Sequence, residues 1–318
     1  MTKASVRGPG VLALLALALL GLVPAGAPAS SFRRPVRTYW IAAVPVRWNV
    51  VPNEHDAINH LEFKAEQTTF DTVVYEAFTP GWGRELPNRP TVSGDNDGIP
   101  GPTIRARVGD ELVIHFRNLD IETGRAHSMH FHGVHYRPGS DGAFVPGFSG
   151  PGASVKPGDS FTYRLFAGPD SAGIWPYHDH SPSMMDSIAG GMYGALSILG
   201  KHERKPDREF VVFFESQLGF MTIDGRAFVG NTPVFHARVG DLVQWDVLAL
   251  GDDHHTFHVH GHRWRAADGS SVDTKTVGPA ESFRVRWRED APGDWLYHCH
   301  VEGHMERGMI GLYRVSRR

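Results

Sequence analysis

The chain contains itself twice, and this repeat constrains its fold more than any other feature. Residues 102–119 read PTIRARVGDELVIHFRNL and residues 233–250 read PVFHARVGDLVQWDVLAL; both carry A-R-V-G-D, with Asp110 and Asp241 131 positions apart. HSMHFH at 127–132 returns as HTFHVH at 255–260, and WPYHDH at 175–180 returns as WLYHCH at 295–300. Three blocks in one order with shrinking offsets describe two homologous domains, the second with shorter loops. A length of 318 residues fits two domains of about 150 each. The charged run KHERKPDR at 201–208 breaks the pattern. The expected division is a domain over 30–200, a linker over 201–209 and a domain over 210–318.

Each block is built of short runs rich in Val, Ile, Phe, Tyr and Trp, separated by Gly, Pro and Asp turns such as Lys156-Pro157-Gly158-Asp159. No long segment carries a helical period. The expectation is an all-β protein with one sandwich or barrel per domain. Residues 51–101 read as loop-rich, with PNRPTVSGDNDGIPG as a surface excursion.

The first 29 residues read as a signal peptide. Lys3 and Arg7 precede the apolar run VLALLALALLGLV, and Ala25-Gly26-Ala27 or Ala27-Pro28-Ala29 offers a cleavage site. Thirteen apolar residues are short of the ~20 needed to span a bilayer. No twin arginine precedes them, so the route is of the Sec type. The expectation is a secreted or periplasmic protein with no membrane span once the signal is removed. A net charge of −3 gives no reason to expect a nucleic-acid partner.

An exported chain can use disulfides, but Cys299 is the one cysteine, so it is buried and inert or bound to something. The chain also has 19 His. Eight of them form four His-x-His pairs: His130/His132, His178/His180, His258/His260 and His298/His300. On a strand, residues i and i+2 share a face, so each pair aims two imidazoles one way, two pairs per domain. Eight converging imidazoles suit copper, zinc, iron or nickel. Cys299 narrows the choice. It lies between His298 and His300 and therefore faces the other way, into its own domain. His255, three residues before His258, shares that opposite parity; His304 follows Cys299 by five residues and Met309 by ten. Two imidazoles, a thiolate and a weak axial methionine are the ligands of a blue copper electron-transfer site. Its thiolate is thereby bonded through the chain to two cluster imidazoles on the order of 10 Å away, a link with no use for redox-inert zinc.

Domain 1 provides an internal comparison. Asp179 stands where Cys299 does, His127 matches His255, and counting five residues onward matches Met184 with His304. Without a thiolate no blue centre forms there, so domain 1 offers cluster ligands only.

From about Tyr39 to Val315 the sequence resembles the multicopper oxidases, specifically the two-domain small laccases, most strongly in HCHVEGHMERGM at 298–309. The opening TYWIAAVPVRWN also resembles the start of ceruloplasmin-type ferroxidase repeats. The resemblance implies a cupredoxin-like Greek-key domain in each half and four copper ions per chain. His255, Cys299, His304 and Met309 would hold the type 1 copper, and His130 with His258 the type 2 copper. His132, His178 and His300 would hold one type 3 copper, and His180, His260 and His298 its mate. It further implies that Tyr136 and Asp141 supply an electron or protons near the cluster, and that the protein is a homotrimer with clusters between domain 1 of one chain and domain 2 of the next. The implied activity is laccase-like oxidation of phenols or aromatic amines coupled to reduction of O2 to water.

Three other readings compete. A metal oxidase would take Fe(II) at Asp252, Asp253, Glu302 and Glu306, or Cu(I) at the soft donors Met184, Met185 and Met192. Copper nitrite reductases carry the blue site in the first domain and need three imidazoles at the second copper, which eight paired His argue against. A non-catalytic copper-binding module is opposed by the intact ligand set.

Overall fold

Two-residue alternation builds the strands. Along Glu111–Asn118 the side chains of Leu112, Ile114 and Phe116 are fully buried, while Glu111, Val113, His115 and Arg117 between them face outward. The computed structural model describes residues 34–87, 98–266 and 268–317. The expected signal peptide and most of the PNRPTVSGDNDGIPG segment lie outside them. Among the described residues no helix is long and apolar enough to cross a membrane.

The first half forms a five-stranded sheet ordered Thr69–Phe78, Val36–Asn49, Glu111–Asn118, Ser160–Phe166, His135–Tyr136. It is packed on a four-stranded sheet ordered Gly101–Arg107, Tyr193–Leu199, Gly173–His178, His130–Phe131. The second half repeats the plan. One sheet runs Phe220–Ile223, Arg208–Gln217, Leu242–Ala249, Ser282–Arg288; the other runs Val234–Arg238, Ile310–Ser316, Gly293–Cys299, His255–Val259, Thr274–Val277. The repeat extends to chain direction. Val36–Asn49 pairs in parallel with Glu111–Asn118, as Arg208–Gln217 does with Leu242–Ala249. Gly101–Arg107 pairs in parallel with Tyr193–Leu199, as Val234–Arg238 does with Ile310–Ser316. The fold is all-β and cupredoxin-like, as expected.

The A-R-V-G-D signature is one turn made twice. Gly109 and Gly240 take φ of 103° and 92°, where a side chain is strained, and the aspartate that follows accepts the backbone N–H of Arg107 (3.1 Å) or Arg238 (3.0 Å). Each sandwich has its own core. Ile114, Phe116, Tyr163, Tyr177 and Leu196 fill the first, and Phe210, Trp245, Phe257, Tyr297 and Tyr313 fill the second. A third core joins the halves, with Trp48, Val74, Ile99 and Tyr193 from one side meeting Val211, Phe213, Phe228 and Leu248 from the other.

One expectation needs correction. Among the described residues of 51–101, which the sequence presents as loop-rich, Thr69–Phe78 is a ten-residue strand paired antiparallel with Val36–Asn49. Its residues Val73, Val74 and Tyr75 are all buried, since Val73 and Tyr75 enter the first core and Val74 the third. A strand covered on both faces shows no alternation in sequence.

Candidate metal centre

In the second half, burial along His255–Val259 alternates: His255, Phe257 and Val259 point inward, Thr256 and His258 outward. The neighbouring strand Gly293–Cys299 pairs Phe257 with Cys299 and His258 with His298. Cys299 is fully buried at the inner end of the core, and His300, just past it, is exposed. The short helix Glu302–Glu306 then brings His304 back over the thiol.

These elements gather three donor atoms. Cys299 Sγ lies 3.8 Å from His255 Nδ1 and 3.7 Å from His304 Nδ1, and the two nitrogens are 3.2 Å apart. The centre of such a triangle lies about 2 Å from each atom, a metal–ligand bond length. Met309 is fully buried beside them, its carbonyl accepting the Cys299 N–H at 3.1 Å. The Thr256 N–H points at the sulfur from 3.3 Å. Burial holds His255 neutral, with its pKa lowered to about 4, and lowers that of His304 as well. Burial also raises the Cys299 thiol, so the metal-free pocket keeps it protonated and a bound cation would displace the proton. A trigonal set of two imidazole nitrogens and one sulfur, with a methionine adjacent, fits copper.

The His-x-His pairs form two matching faces. His132 and His178 bring their Nε2 atoms to 3.2 Å, with His130 completing the group; His260 and His298 bring theirs to 3.1 Å, with His258 completing it. The opposite ring nitrogen is held by backbone. His130 Nδ1 lies 2.7 Å from the Asp141 carbonyl and His258 Nδ1 2.8 Å from that of Asp273, while His178 and His298 each use the carbonyl of the next residue at 2.9 Å. Metal-binding imidazoles are fixed in this way, with one nitrogen tied and the other presented. Burial lowers the pKa of His132, His178 and His298 to about 4, which leaves their lone pairs free to bind metal. His180 is carried by its N–H to Ser128 Oγ (3.0 Å), and its Nδ1 is buried without a hydrogen-bond partner. His260 and His300 are exposed. Among the described residues no hydrogen bond or ring contact joins one face to the other.

Tyr136 and Asp141 both reach His130. The tyrosine ring stands edge-on to it at 6.2 Å between centroids, and a carboxylate oxygen of Asp141 is 3.5 Å from Nδ1. Burial, then the Asp141 charge, push the tyrosine up to about 12, so it is protonated at neutral pH.

In domain 1 the structure corrects the match to His304. Asp179 N donates to Met192 O (3.0 Å) as Cys299 N donates to Met309 O (3.1 Å), and Met192 N donates to Ser187 O (2.9 Å) as Met309 N donates to His304 O (3.1 Å). Met192 therefore answers to Met309, and Ser187, not Met184, answers to His304. The intervening loop is longer in domain 1, so counting onward from Asp179 stops short. Met192 is fully buried and Met185 exposed, so the three methionines do not present one donor set.

Sequence reasoning passes over two further groups. His127 lies between two carboxylates, 3.0 Å from Asp120 and 3.4 Å from Asp179, all three fully buried. Burial pushes both acids up, but hydrogen bonds, from Thr123 to Asp120 and from His127 to both, outweigh it and hold them low. Near the thiol pocket, Glu215 is 3% exposed, and its Oε2 has no hydrogen-bond partner. Burial, with Asp252 and Asp253 adding like charge, raises it to about 7. The carboxylate is packed against Gly251, where a Cβ would come within 2.5 Å of it.

The family described as multicopper oxidase matches residues 84–203 and again residues 202–318. A probable nitrite reductase–hydroxylamine oxidoreductase fusion protein of Kuenenia stuttgartiensis is 32% identical over an alignment of 290 positions that covers 82% of this chain and 32% of that protein. The ferroxidase HEPHL1 of Mus musculus is 29% identical over a gapped alignment of 375 positions that covers 96% of this chain and 31% of that protein. The chain thus spans about a third of the length of these curated relatives. Among solved structures, a multicopper oxidase superposes with a TM-score of 0.66 at 27% identity, over 88% of this chain and 89% of its own.

Proposed function

The chain belongs to the multicopper oxidase family, and from that premise we propose that it couples one-electron oxidation of a small reducing substrate to four-electron reduction of O2 to water. The observation that carries this reading is a single strand end: the buried thiol of Cys299 stands between His298 and His300, and His298 belongs to an imidazole face. In this reading four coppers per chain are held as the family resemblance implies: type 1 by His255, Cys299, His304 and Met309; type 2 by His130 and His258; and the type 3 pair by His132, His178, His300 and by His180, His260, His298. Copper so bound would supply the electron transfer and the affinity for O2.

The chain's own residues do the rest. The core around Cys299 keeps water from the thiolate. The carbonyls of Asp141, Asp179, Asp273 and Cys299 orient the rings. Asp141 and Tyr136 stand beside His130 as groups able to hold a proton near the cluster. Each assigned type 3 set takes residues from both domains, and the two faces stand open in a single chain. The reading places the clusters between domain 1 of one chain and domain 2 of another, closing as a homotrimer, as the family resemblance implies. The protein acts after export, secreted or in a periplasm.

The substrate is of the laccase type, a phenol or aromatic amine that gives its electron by outer-sphere transfer at the His304 edge. Glu215 favours a second reading. A buried carboxylate with one oxygen unpartnered, beside Asp252 and Asp253, suits a divalent cation, and relatives include a protein named as a ferroxidase. Steady-state rates with 2,6-dimethoxyphenol and with Fe(II) separate the two. Under the second reading Glu215→Gln lowers the ratio of kcat/KM for Fe(II) to that for the phenol by about tenfold, the loss of roughly 1.4 kcal/mol of cation binding. An unchanged ratio rejects it.

A further inference from the structure

Domain 1 keeps the frame of the blue-copper pocket and fills it with charge. Besides the two backbone bonds at Met192, Ser128 N donates to Asp179 Oδ1 at 2.7 Å where Thr256 N points at Cys299 Sγ. Tyr177 and Tyr297 each donate to the carbonyl of a proline, Pro102 and Pro233, at 2.7 Å. Trp175 and Trp295 each donate to a carbonyl four residues back at 2.9 Å. On this shared frame the positions of His255, Cys299, His304 and Met309 hold His127, Asp179, Ser187 and Met192.

A metal at the second-half pocket would cross-link three segments: the strand of His255, the strand of Cys299 and the helix of His304. Domain 1 must join its corresponding segments without one, because they carry His130, His132, His178 and His180. Asp179 links two of them, its own segment and the one that carries His127 and His130. Its Oδ1 accepts the N–H of Ser128 (2.7 Å), the hydroxyl of Ser128 (3.2 Å) and the N–H of Ser181 (3.2 Å), and its Oδ2 accepts the Ser181 hydroxyl (2.8 Å) and faces His127 Nδ1. Ser128 Oγ in turn accepts the His180 N–H, and Asp120 closes the far side of His127. An imidazole between two carboxylates holds its segments together while whole, and leaves a costly buried charge if one partner is removed.

We propose that the Asp120–His127–Asp179 cluster is a metal-free lock, doing in domain 1 what copper does in domain 2, and that Asp179 is a positioning residue for the four imidazoles that domain 1 gives to the three-copper cluster. The proposal rests on the assignment of those imidazoles as cluster ligands. It does not require Asp179 to touch metal or substrate.

The test uses the copper-loaded full chain and three variants. Asp179→Asn keeps an oxygen for the Ser128 and Ser181 donors and loses the carboxylate charge; Asp179→Ala loses both; Ser128→Ala removes only the hydroxyl that joins Asp179 to the His180 N–H. The lock predicts cluster-copper affinity about 10–100-fold weaker in Asp179→Asn, as when groups supporting metal ligands are removed. It also predicts an altered electron paramagnetic resonance signal from the copper at His130 and His258. The visible absorption of the Cys299 centre, in the other domain, stays at full strength and reports that the chain is folded. Asp179→Ala should be worse, and Ser128→Ala intermediate with the same spectral change. Full copper retention with an unchanged resonance signal in both Asp179→Asn and Ser128→Ala overturns the proposal, as does loss of the Cys299 absorption in step with the cluster copper. If instead all eight imidazoles fail to bind copper in the wild-type chain, the ligand assignment has failed and the lock falls with its premise.

Discussion

Replacing Cys299 by serine is expected to erase the intense visible absorption and to cut O2 consumption by at least about 1000-fold, while the imidazole faces keep their copper. Serine differs by one atom, so the pocket keeps its shape. The two nitrogens at 3.2 Å from one another remain, but the third corner of the triangle becomes a hard oxygen that does not ionise near neutral pH. The loss falls on electron transfer and not on folding. Cys299 shares its core with Phe257, Trp245 and Tyr297, and burying a hydroxyl there costs about 1–3 kcal/mol, which a domain with this core tolerates. The carbonyl that fixes His298 is backbone and survives the change. Absorption spectra, an oxygen electrode and metal analysis on the same preparation check all three outcomes. A serine variant that still turns over O2 at a tenth of the normal rate contradicts the wiring through the thiolate.

The second large effect concerns where clusters form. A variant with the first face disabled, His132→Ala with His178→Ala, and one with the second disabled, His260→Ala with His298→Ala, should each be inactive in O2 reduction. Co-expressed, they should recover activity. In a ring whose clusters join domain 1 of one chain to domain 2 of its neighbour, random mixing unites an intact first face with an intact second face at about a quarter of the junctions. The chain that supplies the intact second face also carries an intact Cys299 centre. O2 uptake at about a quarter of the wild-type value follows. If both faces served one chain's own cluster, co-expression would restore nothing. The open faces argue for the first result, since His260 and His300 are exposed and His130 and His132 half-buried in the single chain.

Much of the site is legible in the sequence because it follows from strand parity. His130 with His132, and His298 with His300 around Cys299, can be assigned to faces by counting residues, and the repeat supplies the cross-check. Counting fails where loops differ in length. Matching Met184 to His304 requires the segment after Asp179 to be as short as that after Cys299; only the backbone bonds of Met192 identify Ser187. The strand Thr69–Phe78 is hidden because both its faces are covered, so TFDTVVYEAF shows no alternation. The Asp120–His127–Asp179 cluster joins His127 to a carboxylate 52 positions away through a buried contact, and no local pattern announces it. Asp273 does for His258 what Asp141 does for His130, but the carbonyl that acts is common to every residue type and leaves no mark in the sequence. Glu215 sits in the strand REFVVFFESQ, where an acid near a strand end reads as solvent-facing.

Copper counting in the reconstituted wild-type protein tests the central claim most directly. Eight paired imidazoles, two more with a thiolate, and Met309 should hold four ions per chain, with one of them lost together with the visible absorption in the serine variant. A fully loaded, coloured protein that retains a single ion per chain would leave the thiol pocket standing and contradict the three-copper cluster.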